Sequence, residues 1–61
     1  MINVEVGKKV KVSNPHEINY PLEGVVVETD EKCGVPMSKV KFKYVEVWYK
    51  NEDLTEVQND N

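Results

Sequence analysis

An all-β fold of five short strands, curled into a small barrel with one helical turn before the last strand, follows from three features of this sequence. β-Branched and aromatic residues recur in short runs with a period of two, and clusters of Pro, Gly, Asn and Asp separate those runs. The third feature is a change of beat inside "SKVKFKYVEVWYKNEDL", residues 38–54. Val40, Phe42 and Tyr44 share one parity, whereas Val45, Val47 and Tyr49 take the other. Strand side chains alternate faces, so one flat strand cannot bury both sets against the same core. The chain must turn or bulge near Tyr44, as the strongly bent strands of a small barrel do.

The first strand is expected in "VGKKVKVS", residues 6–13, with Val6, Val10 and Val12 on one face and Lys9 and Lys11 on the other. "NPHEINYP", residues 14–21, has two prolines, two asparagines and no apolar period, which predicts a loop. The second strand begins at Leu22 in "LEGVVVET", where Gly24 marks a bulge or a close approach by another backbone. "DEKCGVPM" is expected as a connection, and the third strand as residues 38–44. A hairpin tip over residues 43–46 then accounts for the parity change, with a fourth strand over 47–50; a bulge in one long strand is the alternative. The tip has no Gly or Asn-Gly, which argues against a two-residue type I′ turn and for a wider loop about a type I turn. In "KNEDL", Asn51 is placed to cap a helical turn, with Glu52 and Asp53 near its N-terminus. "LTEV" supplies the last strand, and residues 58–61 are expected to fray. The predicted core is Val10, Val12, Val40, Phe42 and Leu54, with one of Trp48 and Tyr49 beside it, while the run Val25–Val27 leaves its own inward member open.

A chain of 61 residues is one domain, here placed over residues 1–57. A domain of this size buries only about 60% of the surface its unfolded chain exposes, so the core must be small. The longest apolar run is residues 25–27, and neither a membrane span nor a signal peptide is expected. With a single cysteine the chain has no internal disulfide, and a cytoplasmic location is expected. Eight lysines, no arginine and eleven acids give a net charge of -3, which weighs against a general nucleic-acid binder.

Five strands, a long first loop, a hairpin and a helical turn before the last strand form the parts list of an SH3-like barrel. "GKKVKV…LEGVVVE" resembles the opening of KOW-type ribosomal and transcription-factor modules, and "VKF…VWYKNEDLTEV" resembles the ending of many such barrels. Over roughly residues 6–57 the chain also resembles small accessory subunits of photosynthetic electron transfer. These include the variable subunit of ferredoxin:thioredoxin reductase, the ferredoxin-docking subunit of photosystem I and the small barrel subunit of the photosynthetic NDH complex. The chain departs from them in lacking arginine, in its acidic charge and in its short loops. It does not resemble a peptide-binding SH3 domain proper, since the Ala-Leu-Tyr-Asp-Tyr type segment is absent. The resemblance implies that Val26, rather than Val25 or Val27, joins the core, and that the chain is a non-enzymatic protein-binding accessory subunit or small regulator. Its implied partner is a protein, such as a larger enzyme, an electron-transfer assembly or a host assembly. The alternative is a KOW-like or Tudor-like module that binds nucleic acid or ribonucleoprotein.

Two surfaces are candidates for that binding. Tyr20, Pro21, Tyr44, Trp48 and Tyr49 lie near the loops beside which such barrels bind, and one of Trp48 and Tyr49 must face outward. Lys9, Lys11, Lys39, Lys41 and Lys43 all oppose the expected core face, as a basic stripe or as partners of Glu23 and Glu28 on the strand between. Cys33 and His16 lack a visible orienting group and oxyanion donors, so no catalytic residue is assigned. One Cys and one His fall short of a zinc site, "ETDE" at 28–31 lacks the Gly and ligand spacing of a calcium loop, and no metal or cofactor is expected.

Overall fold

The computed structural model describes residues 4–57. Its elements are β1 (Lys9–Val12), β2 (Glu23–Lys32), β3 (Val35–Lys41), β4 (Glu46–Lys50), a 3-10 turn (Asn51–Asp53) and β5 (Leu54–Glu56). All five strands join one antiparallel sheet in the order β4-β3-β2-β1-β5. The all-β expectation, five strands with a helical turn before the last, is the fold the chain adopts. The ladder runs from β4 to β5, and among the described residues no ladder joins those two rims to each other.

The parity change is a hairpin. β3 and β4 pair Val40 with Val47 and Lys41 with Glu46, and the Phe42 N–H donates to the Val45 C=O at 2.8 Å. An even-numbered residue therefore faces an odd-numbered one, so the two strands reach the same face on opposite parities. Neither Lys43 nor Tyr44 has a positive φ, consistent with the absence of glycine there and with a turn other than type I′.

Other boundaries moved. β1 starts at Lys9 rather than Val6, because Gly7 (φ +95°) turns the chain and Val6 is left exposed. "DEKCGVPM" is mostly strand instead of connection: Cys33 (φ 53°) and Gly34 (φ 78°) make a two-residue turn, and the pairing continues to Lys32 opposite Val35. Two consecutive positive φ values are the signature of a type I′ hairpin, here without the usual Asn-Gly. β3 accordingly spans Val35–Lys41 and ends before Tyr44. Pro36 is tolerated because the alternation of hydrogen-bonded pairs points its missing N–H away from β2, past the end of β4. The ten-residue β2 gives the molecule its long dimension in extents of 36 × 22 × 20 Å.

The bulge lies in the valine run, where the register shifts between Val26 and Glu28. Gly24 marks the other sequence expectation, a close backbone approach: a Cβ there would lie 2.6 Å from a Val40 methyl and 2.7 Å from the Lys41 carbonyl oxygen. β2 pairs with β1 through Glu23, Gly24 and Val25, and with β3 from Val25 to Lys32, and the bulge bends it between the two ladders.

Each strand contributes to the core. Val10 and Val12 come from β1, Val26 from β2, Val40 from β3, Tyr49 from β4 and Leu54 from β5, none more than 1% exposed. Phe42, expected inside, is only partly buried: it follows the end of β3 at the rim and meets Tyr49 edge-on, with ring centroids 6.2 Å apart. Asn51 does not cap the helical turn. Lys50 is the N-cap residue, and the Asn51 side chain instead accepts a 2.6 Å hydrogen bond from the buried Ser38 hydroxyl.

Two substitutions check this architecture. Gly24→Ala should lower unfolding stability by about 1–3 kcal/mol in urea, since the Lys41 carbonyl cannot swing aside as a side-chain tip could. Cys33→Asn should raise it by about 0.5 kcal/mol, because Asn accepts the left-handed conformation more readily. A loss of stability on Cys33→Asn would contradict the turn assignment.

Candidate functional site

The first loop, residues 13–22, exposes the apolar side chains of Ile18, Tyr20 and Leu22 and is fastened along its length. At its start the Ser13 N–H and hydroxyl both donate to the Asp53 carbonyl (2.9 and 3.1 Å), and the Asn14 amide donates to the Asp53 carboxylate at 2.9 Å. Asp53 lies in the 3-10 turn and is buried, so its polar groups need these partners. In the middle, the Tyr49 hydroxyl donates to the Ile18 carbonyl at 2.6 Å. At the end, the Leu22 N–H donates to the Asn19 carbonyl, and the Val12 N–H donates to the Leu22 carbonyl. Asn19 has φ 70°, and the Tyr20–Pro21 peptide is cis. Ile18, Tyr20 and Leu22 are left 64%, 45% and 53% exposed.

The structure separates the aromatic residues singled out in the sequence. Tyr49 is the inward member of its pair and Trp48 the outward one, with Tyr49 serving as the post that holds the first loop. Tyr20 and Pro21 lie on that loop and are exposed. Tyr44 is at the β3–β4 turn, at the other end of β4 from Tyr49, and is 86% exposed. Ile18 was missed because an isolated apolar residue in a proline-bounded loop has no period to flag it, and Leu22 because the sequence places it at the start of the second strand, whereas β2 begins at Glu23. Lys32 was missed for a different reason: only the long β2–β3 ribbon brings its ammonium 5.7 Å from the Trp48 ring centroid.

The lysines do not form one stripe of free charge. Lys39 is 3.2 Å from Glu28 and 3.5 Å from Glu46, and also 5.7 Å from the Trp48 ring centroid. Its hydrogen bond to Glu28 raises its pKa above the ordinary lysine value against the opposing effect of desolvation, with Glu46 adding to the rise. Lys9 pairs with Glu23 at 3.4 Å, and Lys43 sits 5.4 Å from the Tyr44 ring centroid. Lys11, Lys41 and Lys43 have no ion pair among the described residues.

Cys33 is exposed at the tip of the β2–β3 hairpin. Among the described residues no three His, Cys, Asp or Glu side chains gather to hold a metal ion, and no helix is long and apolar enough to cross a membrane. No protein-family model, curated protein or solved structure matches this chain.

Burial raises the Tyr49 pKa above the ordinary tyrosine value; the Asn19 side chain partly offsets this and the Glu17 charge adds to it. A tyrosine pKa raised by folding contributes stability that is complete below the unfolded value, about 10, and is lost as pH rises through the folded value. Tyr49→Phe should cost about 1 kcal/mol at neutral pH by releasing the Ile18 carbonyl. In urea titrations that deficit should shrink as the pH rises above about 10, where only the wild type has a buried phenol to ionise. A deficit that grows in alkali would contradict this assignment.

Proposed function

We propose that this chain is a non-enzymatic protein-binding module, a cytoplasmic accessory subunit or small regulator of a larger assembly. The observation that carries the reading is the first loop. Ile18, Tyr20 and Leu22 present apolar surface to solvent from a backbone held by Asp53, Tyr49 and Val12. A loop ordered before association loses little conformational freedom on binding, and a tyrosine supplies both apolar area and a polar tip. The SH3-like resemblance, with its accessory barrel subunits, points the same way. A phosphate-binding surface is less well supported, because Lys9 and Lys39 are already matched by acids on neighbouring strands.

Capture from a lysate of the source organism, at low and at high salt, tests the reading. Tyr20→Ala should weaken retention of the protein partner at both salt concentrations, by about 2 kcal/mol or some thirtyfold if Tyr20 is a hot spot. Reversing Lys41 and Lys43 to Glu should weaken it chiefly at low salt, by slowing association. The nucleic-acid alternative predicts the opposite ranking, with captured nucleic acid lost steeply as salt rises. If the lysine reversals abolish capture at every salt concentration while Tyr20→Ala does nothing, the protein-binding reading fails.

A further inference from the structure

β4 is a rim strand, so one row of its backbone groups has no ladder partner. The turn fixes which row. Phe42 and Val45 are a hydrogen-bonded pair, and antiparallel alternation then makes Val40–Val47 and Ser38–Tyr49 hydrogen-bonded pairs as well. Glu46, Trp48 and Lys50 therefore turn their N–H and C=O groups away from β3. The Lys50 carbonyl is used inside the 3-10 turn, for which Lys50 is the N-cap. Among the described residues no backbone group outside the ladders bonds to the others.

The side chains of those three residues share the outer face of the sheet, opposite to the core residue Tyr49. Their order is self-complementary under a two-fold axis. A second copy laid antiparallel along β4 and centred on Trp48 sets Glu46 opposite Lys50 of the second copy, Trp48 opposite its own equivalent, and Lys50 opposite Glu46. Centring on Val47 sets Glu46 against Trp48 and leaves Lys50 outside the paired row, while centring on Tyr49 sets Trp48 against Lys50 and leaves Glu46 outside. Only the Trp48-centred register matches both charges and engages all three residues.

We propose that β4 is a homodimer edge, through which two copies pair about a two-fold axis at Trp48 and join their five-stranded sheets into one. The Trp48 N–H of each copy donates to the Trp48 carbonyl of the other, and the Lys50 N–H of each donates to the Glu46 carbonyl of the other. The two rims of the sheet differ in a way that favours this. β5 is only three residues long, a blunted edge, whereas β4 has five residues with no proline or bulge. The edge charges of β4 are opposite in sign at its two ends, so they attract an antiparallel copy where like charges would repel one. Lys39 already holds Glu46 on the outer face, beside the position a second copy would take.

Sedimentation velocity from micromolar to millimolar concentration tests the proposal, with emission of the single tryptophan as a second readout. A monomer–dimer equilibrium is expected, with Trp48 emission moving to shorter wavelength as the dimer forms. Lys50→Glu sets Glu against Glu and should raise the dimer dissociation constant about tenfold, as should Glu46→Lys. An equimolar mixture of those two variants should recover association as a heterodimer, and the double variant should recover it as a homodimer. Trp48→Pro removes an outward N–H without touching the β3 ladder and should abolish the dimer, with a cooperative melt confirming that it folds. If that variant does not fold, the charge-swap series decides alone. A chain monomeric at millimolar concentration, a dimer indifferent to Lys50→Glu, or a ring built head to tail through β4 and β5 would each overturn the proposal.

Discussion

Tyr49 is the side chain on which both the core and the candidate binding loop depend. Its ring fills the space between the valines of β1, β2 and β3 and meets Phe42 edge-on, while its hydroxyl holds the Ile18 carbonyl. A domain this small has few large apolar residues with which to build an interior. One long aromatic that reaches from β4 across the core to the far loop therefore does what several shorter residues do in a larger protein. Because that reach ends in a hydrogen bond, the loop is ordered by the same residue that orders the core.

The remaining fastening is polar. Asp53 gathers Ser13 and Asn14 through its carbonyl and carboxylate, and Asn51 receives the Ser38 hydroxyl. The 3-10 turn is thus a junction between the start of the first loop, β3 and β5. Buried polar groups without partners would cost free energy that so small a domain could not offset, and among the described residues no buried side-chain polar atom lacks one. The loop can then expose Ile18, Tyr20 and Leu22 without its backbone losing position.

The outer face follows a different principle. Lys39 lies between Glu28 and Glu46 beside Trp48, and Lys9 faces Glu23, so these two lysines are matched by acids within the sheet. These pairs are exposed and contribute little to stability in water. Their consequence is local: they leave an outer surface of alternating sign around one aromatic side chain.

The sequence by itself determined that the chain is all-β, that a hairpin interrupts residues 38–54 and that a helical turn precedes the last strand. It also identified Val10, Val12, Val40 and Leu54 as core. All of these rest on period-two alternation and turn chemistry, which act between near neighbours, whereas three consecutive valines have no alternation and only the resemblance selected Val26 among them. Tertiary structure alone decided that Cys33 and Gly34 form a two-residue turn, which carries Asp30, Glu31 and Lys32 into a strand their composition disfavours. It also decided that Tyr49 rather than Trp48 faces inward, that Phe42 stays at the rim, and that Asn51 accepts from Ser38 in place of capping its own turn. Each of these depends on what a distant segment places opposite the residue, and local periodicity carries no record of that.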